Sequence, residues 1–188
     1  MNRMIATILG FVLTGAAYAA DSAITPQMQT QLDAQKKIIA LWAADPALVD
    51  AVKAQNLKGP LPGMDEAAWK ALESRNPAVK TLRKGSIGIW LNQKMKASDG
   101  LYTEAFLSGA KGEKVAFAQK PTSYNHAGNP KFDVPMSGKE WQGVPELDAS
   151  TKTEQIQIGV PVIDGGAPIG VLVVGLSVKK LTTETATP

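Results

Sequence analysis

The sequence predicts an α+β domain in which helices come first and a single antiparallel sheet follows. Three observations predict it. Near Gly100 the spacing of apolar residues changes from helical periods to alternation by two. In residues 155–162, Ile156, Ile158, Val160 and Val162 point one way, while Gln155, Gln157 and Gly159 point the other. A tight Asp164-Gly165-Gly166 turn then leads into an almost wholly apolar run, 169–178. The pair reads as a hairpin with one half-polar and one buried strand. Such a sheet packs one face on helices and lines a small pocket with the other.

The first residues read as an export signal. Arg3 supplies a positive start, residues 4–13 are apolar apart from Thr7 and Gly10, and Ala17-Tyr18-Ala19 is a small-x-small cleavage site. The apolar stretch is shorter than the roughly 20 residues that span a bilayer as a helix. Cleavage after Ala19 is expected, giving a periplasmic or secreted protein without a membrane span. The 188 residues include no cysteine, so stability must come from packing and not from disulfides. The net charge of +3 is small and its lysines and arginines are scattered, as at Lys36-Lys37 and Lys179-Lys180. Nucleic-acid binding, which wants a basic stripe interleaved with aromatics, is not expected.

Residues 22–181 read as one domain. Ser22 or Thr25 caps a long first helix with Pro26 in its first turn, and Met28, Leu32, Ile39 and Trp42 share one face. Asp45-Pro46 starts a second helix to Gln55, and Asp65 caps a third over 66–73 with Trp69 and Leu72 inward. Asn76-Pro77 starts a fourth carrying Val79, Leu82, Ile89 and Trp90, ended by Ser98-Asp99-Gly100. A strand at 101–108, a hairpin loop and a partner strand at 113–119 follow. Residues 120–142 read as a long polar-aromatic loop with Pro121, Gly128, Pro130, Pro135 and Gly138. The tail 182–188 is polar and expected to be disordered.

Several runs resemble one family. Ala43-Ala44-Asp45-Pro46-Ala47-Leu48-Val49-Asp50-Ala51-Val52-Lys53-Ala54-Gln55-Asn56 is similar to a membrane-distal helix motif of Cache sensor domains. Gly112-Glu113-Lys114-Val115-Ala116, followed by Pro121-Thr122-Ser123-Tyr124, resembles their hairpin exit. Leu147-Asp148-Ala149-Ser150-Thr151, Val160-Pro161-Val162-Ile163-Asp164 and Ile169-Gly170-Val171-Leu172 resemble their closing run. The resemblance covers roughly 24–181. It implies an extracytoplasmic, PAS-like fold: a long N-terminal helix on a central antiparallel sheet, with a small-molecule pocket on the other face. It also implies a place in signal transduction beside a membrane-bound receptor or kinase. The chain departs from the pattern at Tyr124-Asn125-His126-Ala127-Gly128-Asn129-Pro130-Lys131-Phe132, where the Arg-Trp-Tyr pattern of amino-acid-binding members is missing.

The candidate chemistry gathers in the sheet and the long loop. Tyr102, Glu104 and Phe106 are placed on one face of the first strand, with Gln155 and Gln157 on the polar face of the later one. They make a pocket wall or an ordinary solvated face. Tyr124, Lys131, Phe132 and Trp141 offer aromatic surface and a cation for a small carboxylate, or simply pin the loop. Lys120 is a carboxylate anchor or a solvated lysine, and Asp148 binds a ligand amine or caps a turn. His126, the one histidine, is an exposed loop residue or a ligand contact. No cysteine or Gly-x-Ser-x-Gly elbow accompanies it, and one histidine makes a poor zinc site. Glu104 with Glu113, or Asp133 with Glu140, could be paired for hydrolysis, but nothing fixes their separation. The expected protein is therefore not an enzyme and uses no metal or cofactor. It binds a small carboxylate or amino-acid-like ligand and acts through a membrane partner. The alternative is a degenerate module without ligand, serving as a structural subunit or a homodimer through its first helix.

Overall fold

Caps set where the helices begin. The computed structural model describes residues 23–149 and 151–183, so the expected export signal and residues 184–188 of the tail lie outside the described residues. Helix α1, Pro26–Ala43, is capped by the Thr25 hydroxyl, which accepts the Met28 amide. Asp45, Asp65 and Asn76 do the same for α2 (Pro46–Lys58), α3 (Glu66–Ala71) and α4 (Pro77–Lys84). The helix expected to run on from Asn76-Pro77 is interrupted. At Gly85 the backbone turns extended, and α5 (Ser86–Ala97) leaves in a new direction. The break lets α4 bury Val79 and α5 bury Ile87 and Leu91 in different cores.

The sheet is antiparallel throughout. Its strands are β1 (Tyr102–Gly109), β2 (Lys114–Phe117), β3 (Trp141–Gln142), β4 (Glu146–Leu147), β5 (Glu154–Asp164) and β6 (Ala167–Ser177). The order is β2-β1-β6-β5-β3, with β4 also on β5. The β5–β6 hairpin turns where it was expected, with Gly165 and Gly166 at φ +57° and +83°, a left-handed pair that favours glycine.

The expected loop at 120–142 holds a further helix, α6 (Pro130–Met136). Asn129 caps it through the Lys131 amide, with Pro130 in the first turn, as at α2 and α4. Pro135 reads in the sequence as a breaker. The amide it lacks would have met the Lys131 carbonyl, and that carbonyl packs over Gly159 of β5 instead. The last described element is α7 (Val178–Thr183), so Thr182 and Thr183 are helical and not part of a tail.

Two apolar layers sandwich the sheet. On one face Ile156, Ile158, Val160, Val162, Leu172, Val174 and Leu176 pack with Met28, Leu32 and Ile39 of α1 and with residues of α2, α5 and α7. On the other, Phe106, Phe117, Val171 and Val173 meet Trp69 of α3, Val79 of α4, Tyr124 and Phe132 of α6. Since α4 and α5 serve opposite faces, their joint at Gly85 passes round the outer edge of β2, beside Val115 and Ala116.

A side chain at Gly159 would press within 2.7 Å of the Lys131 carbonyl and 3.1 Å of Pro135. Gly159→Val should therefore lift α6 and cost about 1–3 kcal/mol, read as a lower midpoint in chemical denaturation.

Candidate functional site

The face under α6 is polar where its neighbours are apolar. Cross-strand register explains which groups meet there. Glu104 of β1 pairs with Gly175 of β6, which pairs with Gln157 of β5. Gly175 has no side chain, so the Glu104 and Gln157 side chains meet over it. A Cβ there would fall 2.3 Å from Gln155 Oε1 and 2.7 Å from Thr103 Oγ1. Glu104 Oε1 accepts from Gln155 Nε2 at 2.9 Å and also from Gln157 Nε2. The Thr103 hydroxyl donates to Gln155 Oε1, and Lys131 Nζ of α6 donates to Gln157 Oε1 at 2.6 Å.

A second cluster adjoins this one. Lys114 at the start of β2 is 1% exposed, and it pairs with Ser108 of β1. Its Nζ lies 3.4 Å from Ser108 Oγ, 4.4 Å from the centre of the Phe106 ring and against His126 Nδ1. The His126 ring stacks on Phe106 at 4.9 Å and 22°. The segment carrying it is pinned by Glu66 of α3, whose carboxylate accepts the Tyr124 and Asn125 amides.

Burial sets the protonation of these groups. It pushes the Glu104 carboxyl up, and the Asp148 charge adds to this, while the two glutamine amides and Lys131 oppose it. It lowers the Lys114 ammonium to about 7, partly offset by Glu104 and Glu66. His126 falls to about 2, through burial first and then the Lys114 and Lys131 charges. At neutral pH the imidazole is uncharged, and its Nδ1 can accept from the ammonium form of Lys114.

The structure gathers Phe106, His126, Lys131, Gln155 and Gln157 in this face. His126 is half-buried against Phe106, not an exposed loop residue. Trp141 pairs with Gly159 and so stands on the same face at its rim, its ring folded against Gly143. Asp148 lies beyond the Glu104 end, its carboxylate accepting the Thr151 amide at 2.5 Å. Tyr124 forms part of the apolar wall: it packs on Trp69, and its hydroxyl accepts the Leu61 amide. Two residues are placed elsewhere. Tyr102 does not share a face with Glu104 and Phe106. A bulge between Tyr102 and Glu104 turns it to the helix side, against Trp42, where its hydroxyl donates to Gln35. Lys120 lies over the far side of Trp69, at a surface cleft with Lys70 and Glu73.

Lys114 and Thr103 join the cluster without having been expected there. Strict alternation puts Lys114 with Ala116 on the helix side, and the register shift between Leu107 and Ser108 reverses it. Among the described residues no group of three or more His, Cys, Asp or Glu is placed to hold a metal ion, and no helix is long and apolar enough to cross a membrane.

No family model matches the chain, and no curated protein matches it. Solved structures do. The sensor domain of the V. cholerae histidine kinase DctB is similar at 18% identity and TM-score 0.59, over 86% of this chain and 54% of that one. The ligand-binding domain of the Pseudomonas fluorescens chemoreceptor CtaA, in complex with L-serine, is 19% identical over 82% of this chain and 55% of that one, at TM-score 0.47. That of the Campylobacter jejuni chemoreceptor Tlp3, in complex with L-valine, is 13% identical over 88% and 70%, at TM-score 0.47. The chain thus has the α+β, PAS-like fold of Cache-type sensor domains. It spans about half the length of the DctB domain it matches.

The buried groups predict a pH-dependent stability. The unfolded chain holds a proton on Lys114 up to its ordinary 10.5, the folded chain only to about 7. Burial therefore penalises the fold fully below about 7 and progressively less above it. For His126 stability rises likewise with pH, between about 2 and 6.5. Glu104, whose carboxyl is raised, works the other way, its contribution being lost as pH rises through the folded value. Thermal unfolding midpoints should rise between about pH 7 and about pH 9. Lys114→Met should flatten that rise.

Proposed function

We propose that this chain is a non-enzymatic, extracytoplasmic sensor-type domain that binds a small carboxylate or amino-acid-like molecule on the sheet face beneath 120–142. One observation carries the reading. Glu104, Lys114, His126, Lys131, Gln155 and Gln157 converge, with Thr103 and Ser108, on a face that also carries Phe106, Phe132, Val171 and Val173. Burying polar and ionisable groups costs stability unless each is partnered, and a fold needing only a core would use hydrocarbon there. Such a convergence is the ordinary mark of a ligand site. Lys114 and Lys131 suit a carboxylate, while Glu104 and Asp148 suit an amine. The fold shared with a kinase sensor domain supports the same reading. On it the protein is exported to the periplasm by its first 19 residues. The ligand displaces the internal contacts of Lys131 and His126, shifting α6 and the segment before it, and a membrane-bound receptor or kinase reads the changed surface.

One observation favours a second reading, a ligand-free structural module. The polar groups satisfy one another: Glu104 takes two amides, and Lys131 and Lys114 each find an acceptor. Titration calorimetry against small carboxylates and amino acids separates the two. Under the first reading some member binds, and Lys131→Ala or Gln157→Leu weakens it by about tenfold or more, roughly 1.4 kcal/mol. Tyr102→Phe, on the helix side, leaves affinity unchanged. Correctly folded protein that binds no member of the panel favours the second reading.

A further inference from the structure

Lys114 has surroundings that neither salt-bridge packing nor simple charge recognition requires. The ion pairs found among the described residues use Lys36, Lys53, Arg75 and Lys180, and none uses Lys114. Its amine meets a neutral imidazole nitrogen, a serine hydroxyl and an aromatic face. A carboxylate in contact would hold a lysine as the ammonium, which is inert. A lysine desolvated in apolar surroundings is instead the arrangement that makes an amine nucleophilic. Burial leaves a substantial fraction of this amine as free base near neutral pH.

Lys131 supplies the complementary feature. It too takes part in none of those ion pairs, and its ammonium bonds the uncharged amide oxygen of Gln157. The site thus offers one amine suited to carbon and one cation suited to a carboxylate. Lys114, Gln155 and Gln157 are buried, so an occupant must be small.

We propose that Lys114 captures a small 2-oxo acid as a reversible imine, with the acid's carboxylate held by Lys131. The inference rests on the ligand-binding reading above and narrows its ligand class. The Lys114 nitrogen attacks the keto carbon, and the carbonyl π pair moves to oxygen. The nitrogen gives up two protons in turn and that oxygen gains both, the first making the carbinolamine hydroxyl and the second the leaving water, with His126 Nδ1 placed beside the nitrogen to pass them. The C–O bond then breaks, the C=N bond forms and water leaves. One amine and one ketone give one imine and one water, and hydrolysis reverses the step, so no oxidant or reductant is consumed. Access requires the segment at 125–129 to lift, which releases the stack of His126 on Phe106. Covalent occupancy and a surface change are then one event.

The test is reductive trapping of the whole chain, with pyruvate as probe and cyanoborohydride as reductant, followed by intact-mass measurement and peptide mapping. The expected result is a single reduced adduct on Lys114, formed at least about tenfold faster than on any surface lysine. Lys114→Arg keeps the charge but cannot form the imine, and should lose the adduct while still binding pyruvate in calorimetry. If that variant does not fold, Lys114→Met is used, with circular dichroism as the check. The map of the unaltered protein decides the matter in any case. Adducts spread over surface lysines with none at Lys114 overturn the proposal. Pyruvate that binds but is not trapped overturns the imine and leaves the carboxylate site standing. If no acid binds, with or without a keto group, both readings fall.

Discussion

A buried carboxyl group at Glu104 is the constraint around which the rest of this face is arranged. An acid 6% exposed inside an apolar sandwich must find donors or unfold its surroundings. It finds them only because three unrelated local features coincide. The bulge after Tyr102 turns Glu104 away from α1. The bare backbone at Gly175 lets groups from β1 and β5 touch across the strand between them. Two glutamines alternate onto that face two residues apart. Lys131 then ties the network to α6 through Gln157, and Gly159 lets α6 lie directly on the sheet. Loss of any one contact leaves others buried and unpaired, so the cluster behaves as a unit.

The two faces of the sheet do different work. The side toward α1 is hydrocarbon and supplies most of the apolar burial, while the side toward α6 holds the ionisable groups. Rigidity on one side is what allows the other to be conditional. The 125–129 segment is held mostly by hydrogen bonds, Glu66 accepting the Asn125 amide and Asn125 Nδ2 donating to the Lys111 carbonyl, together with the stack on Phe106. Such contacts exchange with ligand or water far more readily than a packed apolar core does. On the proposed ligand-binding reading, this division lets the surface change while the fold stays fixed.

Much of the architecture was legible in the sequence. Alternation at 155–162 assigned Ile156 and Ile158 to one face and Gln155 and Gln157 to the other, because a strand without a bulge keeps its period. The cap-and-proline pairs at Thr25, Asp45 and Asn76 located three helix starts. What was illegible shares a physical cause: places where one residue breaks a period. A single bulge reversed Tyr102, and another reversed Lys114, since a slip of one residue exchanges faces. Gly85 broke a helix that its flanking apolar residues would have continued. Helix α6 carried the same cap-and-proline signal as its predecessors, and Pro135 hid it. Lys120 follows directly on the sheet's edge in sequence, but its amine sits over the Trp69 ring at a surface cleft with Lys70 and Glu73.

The joint between α4 and α5 has a consequence for how the molecule behaves at high concentration. A sheet normally exposes two open borders, each able to recruit another chain and seed fibrils. Here the corner at Gly85 wraps the β2 border. The opposite border is interrupted by the two-residue strands β3 and β4 and, beyond them, by Pro161, which has no amide to offer. With no cysteine to cross-link it, these blunted margins are what the chain sets against strand-by-strand recruitment.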